Sequence, residues 1–343
     1  MGGDHAPEIV IKGVAQARIR YPNIHFQLHG DEAKLKPLLA QEKQLDGCWS
    51  IRHTDQVVTG DAKPSQALRQ GRNSSMWKAI EAVKSGEAAG VVSAGNTGAL
   101  MAMSKLILRS LPGIDRPAIC ALFPTRVGET AMLDLGANAQ CDARNLVEFA
   151  IMGECFSRAL FGIERPTVGL LNIGSEDLKG TDTLREASAA LREAHLDMEF
   201  KGFVEGDDIT AGTVDVVVTD GFTGNVALKT AEGTAKLVFE FVRSAIKSSL
   251  LAQFGMWFAY PVIKQVRARL DPRKYNGALF LGLNGVVVKS HGGTDAVGFA
   301  NAIGNAVDMV TRDLNRHIAE DLERMRAEQA AARAQADKGN AAQ

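Results

Sequence analysis

Four times along this chain an apolar run stops in a turn of Gly, Ser, Thr, Asn or Asp. The four are Val91–Leu100 (VVSAGNTGAL), Val168–Gly180 (VGLLNIGSEDLKG), Val214–Asn225 (VDVVVTDGFTGN) and Val286–Asp295 (VVVKSHGGTD). In three of them a helical pattern begins at once. Apolar residues on consecutive positions imply strands covered on both faces, and alternation with helices implies a mostly parallel sheet with helices on each side. Strand-length runs lie near Ile24–Leu28, Ala89–Ser93, Ala118–Phe123, Ala131–Leu135, Val168–Ile173, Glu199–Val204, Val214–Thr219 and Val286–Lys289. Helical patterns lie between them, as at Ser75–Lys84, Ala143–Phe161 and Thr183–Ala194. The expected fold is a three-layer α/β/α sandwich. Its small-residue turns are expected to gather along one carboxyl edge of the sheet, where backbone N–H groups and hydroxyls suit a small anion such as a phosphate.

Composition narrows the function. The formal net charge of −1 carries no bias towards nucleic acid. No apolar stretch is long enough to cross a bilayer, and no basic-then-apolar leader opens the chain. The four cysteines, Cys48, Cys120, Cys141 and Cys155, have no CxxC pairing or disulfide-framework spacing, which fits a reducing cytoplasm. No His pair has helical metal-ligand spacing, and no GxGxxG, GxxxxGK[ST] or GxSxG motif occurs, so neither metal nor nucleotide cofactor is expected. No Pro/Ser-rich linker divides the chain, so residues 1–326 read as one domain and 327–343 as a frayed, disordered tail rich in Ala, Gln and charge.

Candidate residues follow from the turns. Lys179 sits in a polar loop past a strand, where it is either a solvated lysine or a cation that polarises a carbonyl or neutralises phosphate. Asn225 is expected to open a long helix, as a simple cap or as an amide donor to a substrate oxygen. The substrate-binding set is Ser93, Asn96, Thr97, Asn138, Ser175, Asp220, Thr223 and His291. Arg69 and Arg72, with Ser74 and Ser75 before a helix, are phosphate candidates or a solvated basic loop. His5 and His291 have glycine neighbours that permit close approach.

The stretch at about 225–270 breaks the pattern. A helix to about Phe254, Gly255, then Met256–Ile263 and the basic Lys264, Arg267, Arg269, Arg273 and Lys274 read as a helical hairpin with an apolar tip. Leu250, Leu251, Phe254, Trp257 and Phe258 form that tip, which either packs in a dimer or touches a membrane interface.

Six stretches together resemble one family: MGGDHAPE at Met1–Glu8, NSSMWKAIEAVKSGEA at Asn73–Ala88, SAGNTGALMA at Ser93–Ala102, GLLNIGSEDLKGTD at Gly169–Asp182, VVVTDGFTGNVALKTAEG at Val216–Gly233 and LGLNGVVVKSHGGTDA at Leu281–Ala296. They resemble the bacterial phosphate acyltransferases, PlsX, in the same order from Met1 to about Ile318. The resemblance implies a fold like those of phosphate acetyltransferase and the isocitrate and isopropylmalate dehydrogenases. It also implies transfer of a long-chain acyl group from acyl-carrier protein to inorganic phosphate. The acyl phosphate would serve a membrane glycerol-3-phosphate acyltransferase in phospholipid synthesis. A homodimer, a peripheral place on the inner face of the cell membrane, and independence from metal and nucleotide are further implications. Lys179 and Asn225 are then the catalytic pair, stabilising the oxyanion without a nucleophilic side chain. The alternatives are a short-chain enzyme using acyl-coenzyme A, an NAD-dependent decarboxylating dehydrogenase, and a membrane-associated scaffold. In the family a short strand precedes Met-Gly-Gly-Asp, so the expected start lies upstream of Met1.

Overall fold

The computed structural model describes residues 1–194 and 196–341, with side chains described except at Leu250, Arg267 and beyond residue 327. In chain order the elements are α1 (Glu8–Arg20), β1 (Phe26–Gly30), α2 (Glu32–Leu39), β2 (Trp49–His53), α3 (Pro64–Gln70), α4 (Ser75–Lys84), β3 (Gly90–Ser93), α5 (Thr97–Leu108), β4 (Ala118–Pro124), β5 (Glu129–Leu133) and α6 (Ala143–Phe161). They continue as β6 (Thr167–Leu171), α7 (Asp182–Glu193), β7 (Glu199–Val204), α8 (Gly206–Ala211), β8 (Val216–Val218), α9 (Gly221–Lys247), α10 (Leu250–Arg269), β9 (Ala278–Leu281), β10 (Val286–Lys289), α11 (Ala296–Thr311) and α12 (Leu314–Ala341). Helix α12 covers most of the stretch expected as a tail, and residues 342 and 343 lie outside the described residues.

Eight strands form the main sheet in the order β3-β10-β9-β4-β5-β8-β6-β7, while β1 and β2 pair separately. The sheet is mostly parallel, as the apolar runs predict. The physical reason is clearest at β8, where Val216, Val217 and Val218 are fully buried between β5 and β6. Alternate side chains serve opposite faces. Ala131, Leu133, Val216 and Val218 meet α6, α7, α11 and α12 in one core, whereas Met132 and Val217 meet α4, α5 and the start of α9 in another. A third core lies under β1, between α1 and α11. The expected three layers are therefore present.

The strand directions correct one expectation. β3 runs parallel to β10, but β10 is antiparallel to β9, β9 to β4, and β4 to β5. β5, β8, β6 and β7 are then parallel to one another. Three reversals leave the carboxyl ends of β3 and β10 on one edge of the sheet and those of β5, β8 and β6 on the opposite edge. The small-residue turns therefore divide between two edges instead of gathering along one. β9 and β4, which carry the reversals, are interior strands flanked on both sides, and an interior strand's own sequence gives no sign of its direction.

A cavity of about 440 Å³ separates the unpaired edges of β1 and β3. It is walled by Val10 and Val14 of α1, Ala79 of α4 and Phe299 and Ile303 of α11, and Met1 lies at its end beside Gly30. His29 lines it with Nδ1 unpartnered, and burial, aided by nearby Arg52, lowers its pKa to about 4. That ring stays neutral and the lining is largely apolar.

Candidate functional site

The edge at the ends of β5, β8 and β6 has a dense polar framework. Its centre is Asp134, a fully buried carboxylate that the sequence analysis did not single out. Its oxygens accept from the backbone N–H groups of Ile119 (2.9 Å), Gly136 (3.1 Å), Ala137 (3.0 Å) and Asn138 (2.7 Å), and from Asn138 Nδ2 (2.9 Å). Burial raises its pKa, and these bonds oppose the rise. Asn138 also donates to the Pro117 carbonyl at 2.8 Å, so its amide is committed to shaping the loop rather than to a substrate. The sequence signal was present in Asp134-Leu135-Gly136-Ala137-Asn138, an acidic residue followed by a small-residue turn after a strand.

Two glycines let the next strand end press against this loop. A Cβ on Gly221 would fall 2.6 Å from the Asn138 carbonyl oxygen, and one on Gly224 would collide with the Asp134 carbonyl oxygen. Gly136 has φ +128°, and a Cβ there would fall 2.7 Å from Asn225 Nδ2. Asn225 is thus held beside the Asp134 loop. It does not open α9 as expected. Asp220 is the cap, accepting from the Thr223 backbone at 2.9 Å and from the Thr223 hydroxyl at 2.7 Å. Asn225 lies one turn further in, exposed, which releases its amide from capping. Just past the end of neighbouring β6, Asn172 Nδ2 donates to the Lys179 carbonyl at 3.2 Å, and Lys179 and Ser175 are exposed. Among the described residues, Lys179 has no carboxylate within ion-pair distance. This edge therefore offers a free ammonium and a free amide on adjacent loops, the donor types that stabilise an oxyanion.

The opposite edge holds the other candidates. Ser93 accepts from Gly95 N at 3.2 Å, and Asn96 caps α5 while donating to the Gly60 and Ala62 carbonyls at 2.7 and 3.2 Å. Asn96 thus braces the turn, and Thr97 beside it is exposed. His291 accepts from Gly293 N at 3.1 Å through Nδ1, and His5 is exposed nearby in the chain's first turn. The phosphate candidates before α4 need correction. Ser74 and Ser75 are 1 % and 4 % exposed, and the Ser74 hydroxyl caps α4 and donates to the Gly71 carbonyl at 2.6 Å. They serve the helix start, out of reach of a ligand. Arg72 lies over the Trp77 ring at 5.9 Å, and Arg69 Nε donates to the Ser65 carbonyl at 3.2 Å.

No thiol is set up as a nucleophile. Cys48, Cys120 and Cys155 are buried, and burial pushes Cys120 and Cys155 well above the usual thiol range. Cys141 is pushed to about 11, chiefly by burial and then by Asp134. One cluster has metal-ligand chemistry among the described residues, Glu154, Cys155 and Asp321. Arg158 already pairs with both carboxylates, at 3.1 and 3.4 Å, so a cation is in place.

The hairpin also differs from expectation. The turn falls at Ser248 and Ser249, so Gly255 and Pro261 lie inside α10. Leu251, Phe254, Trp257 and Phe258 therefore line the first turns of α10 rather than the loop, while the side chain of Leu250 lies outside the described residues. Leu251 is 80 % and Trp257 71 % exposed, and Trp257 and Phe258 meet edge to face at 5.1 Å. Of the basic arm, Arg273 is paired with Asp271 and Asp295, and Arg269 donates to the Arg126 carbonyl at 2.7 Å, while Lys264 and Lys274 are exposed to solvent and the Arg267 side chain lies outside the described residues. No described helix is long and apolar enough to cross a membrane.

Comparison with known proteins places the chain in a family. The family model described as "Fatty acid synthesis protein" matches residues 1–317. The chain is 60 % identical to the phosphate acyltransferase of Paramagnetospirillum magneticum over 95 % of this chain and 93 % of that one. It is 62 % identical to the phosphate acyltransferase of Rhodospirillum rubrum over 94 % of this chain and 92 % of that one. In fold it is similar to a phosphotransacetylase from Streptococcus pyogenes (TM-score 0.54, 16 % identity, 88 % of this chain and 98 % of that one). A branched-chain phosphotransacylase from Enterococcus faecalis is similar too (TM-score 0.55, 15 % identity, 90 % and 96 %). A family model matched over residues 1–317 and 60–62 % identity over nearly the whole chain mean that the chain belongs to the phosphate acyltransferase family and is an acyltransferase.

Proposed function

We propose that this protein transfers a long-chain acyl group from acyl-carrier protein to inorganic phosphate, making acyl phosphate for phospholipid synthesis. The observation that carries the reading is the pairing of Lys179 and Asn225 on adjacent loops of one sheet edge, with no nucleophilic side chain beside them. A phosphate oxygen attacks the thioester carbonyl, the C–S bond breaks, and the phosphate's proton ends on the departing thiol. Lys179 and Asn225 supply hydrogen bonds to the carbonyl oxygen as it gains charge. Direct attack needs no covalent enzyme intermediate, which agrees with Cys120, Cys141 and Cys155 thiols whose pKa is raised chiefly by loss of solvent.

Ser93, Thr97 and His291 lie on the far edge from Lys179 and Asn225, and one chain does not bring the two groups together. A homodimer in which one copy's β3–β10 edge faces the partner's β5–β8–β6 edge reconciles both halves with one reaction centre. The exposed apolar face of α10 supports peripheral membrane contact, which would deliver a greasy product where a membrane glycerol-3-phosphate acyltransferase can use it.

The test is product formation by the purified protein. With inorganic phosphate and palmitoyl-acyl-carrier protein, acyl phosphate should appear and be trapped by hydroxylamine as the hydroxamate. Hydroxamate formed only from short acyl-coenzyme A donors would replace this reading with the short-chain one. No hydroxamate from either donor would remove the proposed reaction.

A further inference from the structure

Lys289 closes β10 after three valines, and it has no part in the site described above. β10 is an interior strand, flanked by β3 and β9, so a lysine there loses water that an edge position would keep. Its half-buried ammonium donates to the Ser290 carbonyl, and among the described residues no carboxylate lies within ion-pair distance of it. An ammonium has three donors, and the protein occupies one. A desolvated cation with donors to spare is costly unless an anion completes it.

The surroundings are made of small residues from three distant parts of the chain. Asp4 N donates to the Gly292 carbonyl at 3.0 Å. A Cβ on Gly3 would fall 2.9 Å from Ala94 Cβ, and one on Gly292 would fall 3.2 Å from Asp4 Oδ1. Gly2–Asp4, Ser93–Gly95 and Ser290–Gly293 thus converge at the carboxyl ends of β3 and β10. Bare backbone is what allows a compact polyanion to approach closely.

We propose that Lys289 binds the inorganic phosphate substrate, as its charge-neutralising ligand on the β3–β10 edge. Burial lowers the lysine's pKa to about 8, and the Asp4 carboxylate works against that fall, keeping the ammonium charged at neutral pH. This inference rests on phosphate being the acyl acceptor. It assigns the phosphate to this edge, and to a residue other than Lys179, Arg69 or Arg72.

The test separates phosphate binding from stability and from donor binding. Lys289→Met should raise the KM for inorganic phosphate about tenfold or more, the usual loss for a charged hydrogen bond, with the thioester donor's KM unchanged. Lys289→Arg should recover part of the loss. A phosphate KM in Lys289→Met within about twofold of wild type would overturn the assignment, because one lost charged bond exceeds that. A rise confined to the donor's KM would overturn it too, pointing to the donor's own phosphodiester. The wild-type protein supplies an independent arm. Reductive methylation of Lys289, read by mass spectrometry, should slow when phosphate replaces chloride at equal ionic strength, and equal rates would refute the proposal even if the variants do not fold. Failure of wild type to make any acyl phosphate would instead sink the underlying reaction.

Discussion

Replacing Asp134 tests whether one buried carboxylate holds the catalytic edge together. Its two oxygens satisfy the N–H groups of Ile119, Gly136, Ala137 and Asn138 and the Asn138 amide. Asp134→Ala leaves the buried donors of Ile119 and Asn138 without partners, each at a cost of about 1–3 kcal/mol, while Gly136 and Ala137 reach water more easily. Removing a carboxylate whose pKa is raised by burial returns part of that loss. The net expectation is about 3–5 kcal/mol, a large share of a typical domain's ~5–15 kcal/mol. Asp134→Asn preserves shape but turns an NH₂ towards Asn138 N and Nδ2, both donors, and should cost about 2–3 kcal/mol. Urea titration followed by tryptophan fluorescence measures both. Because Gly136 abuts Asn225, the variants should also lose turnover under conditions where they remain folded. A loss under about 1 kcal/mol in Asp134→Ala would refute the reasoning, since it would mean that water replaces the carboxylate freely.

Lys179→Ala and Asn225→Ala should each lower turnover on the order of 100- to 1000-fold with melting temperature unchanged, and near-normal turnover at saturating donor would exclude them from the chemistry. If the centre is composite, mixing Lys179→Ala with Lys289→Met subunits should restore about a quarter of wild-type activity through hybrid dimers, whereas a single-chain centre restores none. A five-residue apolar strand joined ahead of Met1 should fill the slot between β1 and β3, pair with both edges, and raise stability by a few kcal/mol (about 2–4), with equal thermal melts counting against it. Burial, more than any charge, raises the Glu154 pKa from 4.5 to about 7, so its contribution to stability is fully present below about pH 4.5 and is lost as pH rises through about 7. Glu154→Gln should abolish that part of the pH dependence in urea titrations, and an unchanged profile would place the titration elsewhere. Leu251→Glu with Trp257→Glu should stop flotation with anionic vesicles yet spare acyl phosphate synthesis in solution. Dissociation into monomers would show the α10 face to be a dimer contact instead.

The local alternation of apolar runs, small-residue turns and helical stretches was legible without coordinates. Burial on both faces demands continuous apolar strands, and that demand is written residue by residue, as in Val216-Val217-Val218. Ser75–Lys84 and Ala143–Phe161 were readable for the same reason, since their apolar spacing lies within the helices themselves. Caps were less legible. Asp220 and Asn225 are both competent polar residues in one turn, and only the fit of Gly221 and Gly224 against the Asp134 loop decides that Asp220 caps and Asn225 stays free. Asp134 was missed because a single acid after a strand looks like a surface turn until four donors of its own turn and one from Ile119 of β4 are seen to converge on it. Ser74 and Ser75 erred the other way, since hydroxyls that suit phosphate suit a helix start equally well.

By itself, then, the sequence determined the layered α/β class, the six family stretches and the chemical types present at each strand end, because these depend on local pattern. Only the tertiary structure decided which strand ends share an edge. Strand direction at β9, β4 and β5 is set by which neighbours they pair with across the sheet, and no residue in those strands encodes that choice alone. Those reversals divide the Gly-rich turns between two edges, leaving Lys179 and Asn225 on one and Lys289 with His291 on the other.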